Sequence, residues 1–187
     1  MKKLIPFALL ASLALPLVAQ ETASAEEAKP QQVEAKKVTT VWPAFFAVCQ
    51  WPRTTDVVGL RLAVPFSTSQ ENVTGVDLGF WGSSIDFEGF AVNVLRNEAR
   101  DRAAGVQVGI YNSIGFSDYL TVQVGLWNEA GTMSGVQAGV INLAGEAEGF
   151  QLGLINRAET MHGYQVGLIN VIRDAELKFM PILNVGF

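Results

Sequence analysis

Cysteine and histidine are almost missing from this chain of 187 residues, which holds one of each, Cys49 and His162. A lone cysteine excludes any intramolecular disulfide framework. Cys49 follows Phe-Ala-Val well past the N-terminal apolar run, so it is not placed as a lipid acceptor and reads as a small buried apolar residue. A single histidine leaves too few partners for a metal centre or a hydrolytic triad, and His162 reads as a solvated connector residue. Charge is also scarce, at 17% of residues, against roughly 25% in a typical soluble domain. The balance is acidic, with a formal net charge of −5, which argues against nucleic acid as a partner. Gly-Val-Gln-Val-Gly lacks both a lysine and a following helix, so no phosphate loop is present. Asp86 and Glu88 share a face but sit at a charged connector, where a solvated pair is the simpler reading than an acid/base pair. No catalytic residue, cofactor site or metal site emerges, and the chain reads as non-enzymatic.

The N-terminus has the form of a secretory signal. Met-Lys-Lys precedes the apolar run LIPFALLASLALPLV, which is too short and too interrupted by proline for a membrane helix. Cleavage is expected after Ala25, within Ala-Ser-Ala, with Ala19 as the other plausible site. Loss of residues 1–25 removes two lysines and one glutamate and moves the net charge from −5 to −6. Residues 26–40, EEAKPQQVEAKKVTT, have little to bury and read as a flexible leader. The folded unit is expected over 41–187.

What the chain does have is repetition. The phrase Gly-x-Gln-x-Gly-x-x-Asn begins at Gly105, Gly135, Gly149 and Gly163, and at Thr121 with threonine in the first slot. Weaker copies begin at Gly59, Gly75, Gly89 and Leu177, and every interval is fourteen or sixteen residues. Within a copy, residues such as Val106, Val108 and Ile110 alternate with Gly105, Gln107, Gly109 and Tyr111. Period two with a heavy glycine load means strand, not helix. The chain is therefore expected to be all-β, built of tandem strands and short charged connectors.

Two architectures suit such a pattern. The expected one is an antiparallel meander closing as an outer-membrane β-barrel. A fourteen-residue period leaves about ten residues per strand, enough to cross a bilayer. Val and Leu would then meet lipid, and Gly and Gln would line a narrow lumen. The alternative is a β-solenoid with copies stacked in parallel, Val and Leu forming the core and the amides forming ladders. Asparagine at the strand end suits a left-handed turn. Proline at Pro65 and Pro181, and the altered parity of the last copy at Phe179, favour the solenoid. The reach needed to return eight strand residues through six favours the barrel.

The phrase Gly-x-Gln-x-Gly-Leu-x-Asn in tandem, the signal peptide and the ending FMPILNVGF resemble a family of bacterial surface repeat-containing proteins of leptospiral and other diderm bacteria. The resemblance covers about residues 41–187. It implies export and a surface or outer-membrane address, and brings no reaction and no catalytic residues. Arg61, Asp77 and Ala91 depart from the pattern, standing where the later copies have glutamine.

Three sets of candidate residues follow. Gln107, Gln123, Gln137, Gln151 and Gln165 are expected to form one buried or half-buried polar row. Asn112, Asn128, Asn142, Asn156, Asn170 and Asn184 form a second row. Arg61 and Asp77 hold one slot in consecutive copies and could pair, either tuning a lumen or offsetting two local substitutions. Trp81, Tyr111 and Trp127 share the seventh slot, as an interfacial girdle or as packing. The functional expectation is an exported, non-enzymatic outer-membrane or surface β-repeat protein with a structural or small-pore role, its partner outer-membrane lipid. The alternative is a surface-tethered or periplasmic solenoid that binds a protein or glycan.

Overall fold

The structure, a computed structural model, describes residues 44–49, 51, 55–68, 72–117 and 119–187. The expected signal peptide and leader lie outside the described residues. One sheet holds every strand in chain order: β1 (Ala44–Val48), β2 (Val57–Ala63), β3 (Val73–Ser84), β4 (Phe87–Val108), β5 (Tyr111–Phe116), β6 (Leu120–Leu152), β7 (Ile155–Ile172) and β8 (Phe179–Gly186). The pairings from β1 to β7 are parallel. Copy lies on copy: Gly59 pairs with Gly75, Gly75 with Gly89, Gly105 with Thr121 and Gly149 with Gly163. The chain is thus a β-solenoid of about eight coils, and the expected antiparallel barrel is not formed.

The reason is a corner inside the phrase. β4 ends at Val108 and β5 begins at Tyr111, while β6 ends at Leu152 and β7 begins at Ile155. The chain bends at the fifth and sixth positions of the copy. Each coil therefore has two short legs, positions 1–4 and 7–10, and positions 11–14 return to the next coil. With the strand divided, no long stretch has to be brought back, and the reach that favoured a barrel is not a constraint. The bend also breaks the period-two alternation. Gln137 at position 3 and Asn142 at position 8 are both buried, although they differ in parity. Asparagine consequently lies within the second leg and not in a left-handed turn.

The solenoid is also inverted relative to the sequence expectation for one. Its interior holds the amides, together with apolar residues at positions 10 and 13, from Ala130, Ala144 and Ala158 to Ile114 and Ile172, and from Ala147 to Met133, Met161 and Phe87. Val124, Leu152, Phe150 and Leu154 face outward. The inward places of the first leg and the corner are taken by glutamine and glycine, so the bulky residues at positions 2, 4 and 6 lie outside.

Glycine makes the close stacking possible. Gly149 has φ of +126°, and a Cβ placed on it would lie 2.1 Å from the carbonyl oxygen of Gly135 one coil earlier. At the corner, a Cβ on Gly139 would lie 2.2 Å from the Gly125 carbonyl and 2.6 Å from Nδ2 of Asn128. The two glycines admit the neighbouring coil and the asparagine side chain respectively.

The last copy is not a coil. β8 runs antiparallel to β7, with Gly163 opposite Gly186 and Gln165 opposite Asn184. This reversal accounts for the altered parity at Phe179, and it places Pro181 on an edge strand, where a missing N–H is tolerated. At the other end Cys49, with φ of 55°, is half-buried and donates its thiol to the Val64 carbonyl.

Gly149→Ala is expected to destabilise the fold by about 1–3 kcal/mol from backbone strain alone, with the carbonyl overlap adding to it. Urea denaturation followed by circular dichroism measures this. An unchanged midpoint would contradict the coil spacing.

Candidate binding surface

The surface is set by what the interior does with its amides. The five glutamines form one ladder. Nε2 of Gln123, Gln137, Gln151 and Gln165 donates to Oε1 of the glutamine one coil earlier, at 3.2, 2.9, 2.7 and 2.7 Å. Several also donate across the interior to a backbone carbonyl of the second leg, as Gln137 does to Leu143 at 3.1 Å. The asparagine ladder runs the other way. Nδ2 of Asn112, Asn128, Asn142 and Asn156 donates to Oδ1 one coil later, at 2.8, 2.8, 2.8 and 2.7 Å. The second hydrogen of each amide goes to a first-leg carbonyl, as from Asn142 to Leu152 at 2.9 Å. The opposed donor directions set the two rows of amide dipoles against each other.

Asn184 belongs elsewhere. Its register opposite Gln165 puts it at the end of the glutamine row, because β8 runs backward. Oε1 of Gln165 and Nδ2 of Asn184 are buried there without a protein partner. Asn97, which the repeat reading missed, extends the asparagine row by donating to Asn112 at 2.7 Å. One extra residue in its sixteen-residue copy moves it to the ninth place, and the pairing of Arg96 with Tyr111 accommodates the shift.

Arg61 and Asp77 do not line a lumen: in the solenoid their side chains are packed in the interior. They replace glutamine in the first two coils as a fully buried pair. Nε and Nη2 of Arg61 donate to the two carboxylate oxygens of Asp77 at 2.8 and 2.7 Å, and Nη1 donates to the Ser83 carbonyl at 2.9 Å. Asn93 adds a third bond to Asp77 at 2.8 Å. The fork geometry satisfies both charges, and the small Ala91 follows in the next coil.

With the interior so occupied, the apolar residues form outward columns. Positions 2 and 4 of the first leg carry Val, Leu, Phe and Tyr, with Ala138 in one place. Phe150 and Tyr164 stack at 5.3 Å between centroids and 17° between planes. Position 6, at the corner, is more exposed still, with Leu126, Leu154 and Leu168 at 57, 52 and 65% of their full accessibility. At position 7, Arg96 stacks between Trp81 at 5.4 Å and Tyr111 at 4.8 Å. The sequence pattern did not mark Arg96 as part of that aromatic column. Tyr111 donates its hydroxyl to Glu129 at 2.7 Å. Burial, and then that bond, raise its phenol above its ordinary range.

Charge gathers on the return edge. Glu159 accepts from Arg173 and Arg157, and the Arg173 bond in particular lowers its carboxyl below the ordinary range. Asp86 receives the Arg102 backbone N–H at 3.1 Å and lies with Glu88 in an open groove. His162 is exposed on the same edge. Among the described residues no three metal-binding side chains come together.

Gln137→Leu removes the donor to Gln123 and the acceptor for Gln151. The expected loss is on the order of 1–3 kcal/mol for each buried group left unpaired. Thermal or urea unfolding measures it, and a change within error would mean that the row is hydrated. Compared with known proteins, the chain matches no family model, no curated protein and no solved structure.

Proposed function

We propose that this chain is an exported, non-enzymatic binding module of the cell surface or outer membrane, with the outward apolar columns as its binding face. The observation that carries the reading is the placement of Val, Leu and Phe outside and amides inside. Packing of each copy on the next covers only part of these side chains, and more than half of Leu126, Leu154 and Leu168 stays exposed, so the first leg and the corner present apolar columns beyond what stacking uses. Extended apolar surface on a folded chain marks a site of association with a protein or a membrane. The solenoid suits that task because stacked coils hold each column rigidly in line. The secretory form of residues 1–25 supports export, and the resemblance to bacterial surface repeat proteins supports a surface address.

Expression in a diderm bacterium tests the reading. The processed chain is expected to begin at Glu26 and to be recovered in the envelope fraction. An unprocessed chain in the cytoplasmic fraction would contradict it.

A further inference from the structure

The apolar columns do not lie on one flat face. Positions 2 and 4 face out from the first leg, position 6 forms the corner, and position 7 opens the second leg. No charged residue occupies position 2, 4 or 6 in any coil from Gly59 onward. The corner is convex and apolar along its length. A flat partner laid on the first leg would leave Leu126, Leu154 and Leu168 in water. A fluid apolar medium covers a convex edge from both sides.

The backbone at that edge fits the same medium. The N–H of Leu126 donates to the Ile110 carbonyl and that of Leu154 to the Val140 carbonyl, each at 3.0 Å, one coil earlier. The corner thus keeps its amide hydrogens paired within the protein, as entry into hydrocarbon requires. Most charged side chains lie across the coil on the return edge, where Glu146 and Glu148 are exposed, and Arg96 at position 7 is covered on both faces by Trp81 and Tyr111.

We infer that the solenoid lies on a lipid bilayer with its axis in the membrane plane. The position-6 corner enters the acyl region, the position-7 aromatics sit beside it, and the charged return edge stays in water. This rests on the reading of the apolar columns as the binding face and names what they bind. With a net charge of −5 before processing, attraction to anionic headgroups does not hold the protein there. Attachment is apolar, so neutral lipid suffices and salt does not weaken it.

Flotation of the processed chain with phosphatidylcholine vesicles tests this, at low and high salt. The chain is expected to float in both. Leu126→Asp, Leu154→Asp and Leu168→Asp should each lower partitioning about tenfold. Glu146→Gln with Glu148→Gln, on the far edge, should leave it unchanged. Circular dichroism checks that each variant is folded. If an aspartate variant does not fold, Leu154→Ser replaces it. Bromine-labelled lipid is expected to quench Trp127, and Trp127→Phe should remove that part of the signal. Flotation only with anionic vesicles, reversed by salt, would overturn the inference. Failure to float, with a dimer that the corner variants split, would overturn lipid as the partner and keep the apolar face as a binding face. Failure to float as a monodisperse monomer would overturn both.

Discussion

Satisfaction of buried side-chain amides by their own copies is the constraint on which this structure depends. A glutamine or asparagine amide brings two donors and a carbonyl acceptor into the interior. With legs of only four residues, the groups within reach are the same side chain one coil away and the backbone carbonyls facing it. An amide therefore requires another amide above and below. This is what repetition of Gly-x-Gln-x-Gly-x-x-Asn supplies, and it fixes the register: a slip of one residue along a leg would bring Gln151 opposite Tyr164 or Val166 instead of Gln165 and break the row. Where the row is interrupted, the substitution is compensated as a set. Arg61 and Asp77 satisfy each other, Asn93 and the Ser83 carbonyl take the remaining bonds, and Ala91 asks for none.

The exterior follows from the same constraint. Amides, alanines and larger residues such as Phe87, Ile114 and Ile172 fill the interior, so the outward residues at positions 2, 4 and 6 can pack only sideways, against their copies in neighbouring coils. Phe150 on Tyr164 is one such contact, and cross-strand pairs of this kind stabilise a sheet by roughly 0.2–1 kcal/mol each. The columns thus contribute to stability from outside while leaving a face available for association. Exposed charge is concentrated on the return edge, where connectors vary in length without disturbing either ladder, and the second leg adds Arg96, Glu129 and Arg157. The result is an amphipathic rod, apolar around one corner and charged along the opposite edge.

Strand content and the unit of repetition were legible because glycine, glutamine and asparagine recur at fixed spacing. The path of the chain was not. Gly139 and Val140 look like the middle of an alternating strand, yet they form a corner, since a Cβ at position 5 would strike both the preceding coil and the asparagine beneath it. Period-two reading assumes an unbroken strand, and it therefore put Asn142 on the apolar face and Ile141 with the glutamines. The same assumption produced an eight-residue strand that suited a barrel. Asn97 escaped notice because one inserted residue moved it out of phase, and Asn184 was assigned to the wrong row because nothing in its local pattern announces that β8 reverses. Phe179 and Pro181 carried that signal, as departures from the repeat.

The central claim is parallel stacking of equivalent positions, and a pair of cysteines tests it most directly. Glu146 and Thr160 are register partners on adjacent coils, so their Cα atoms lie about 4.8 Å apart, within disulfide range. In a Cys49→Ala background, Glu146→Cys with Thr160→Cys is expected to oxidise to an intramolecular disulfide in the folded protein, and Thr132→Cys with Glu146→Cys should do the same one coil earlier. Bridging in both pairs, lost on denaturation before oxidation, is the predicted result. Free thiols in both pairs of a folded chain would contradict the stacked-coil account.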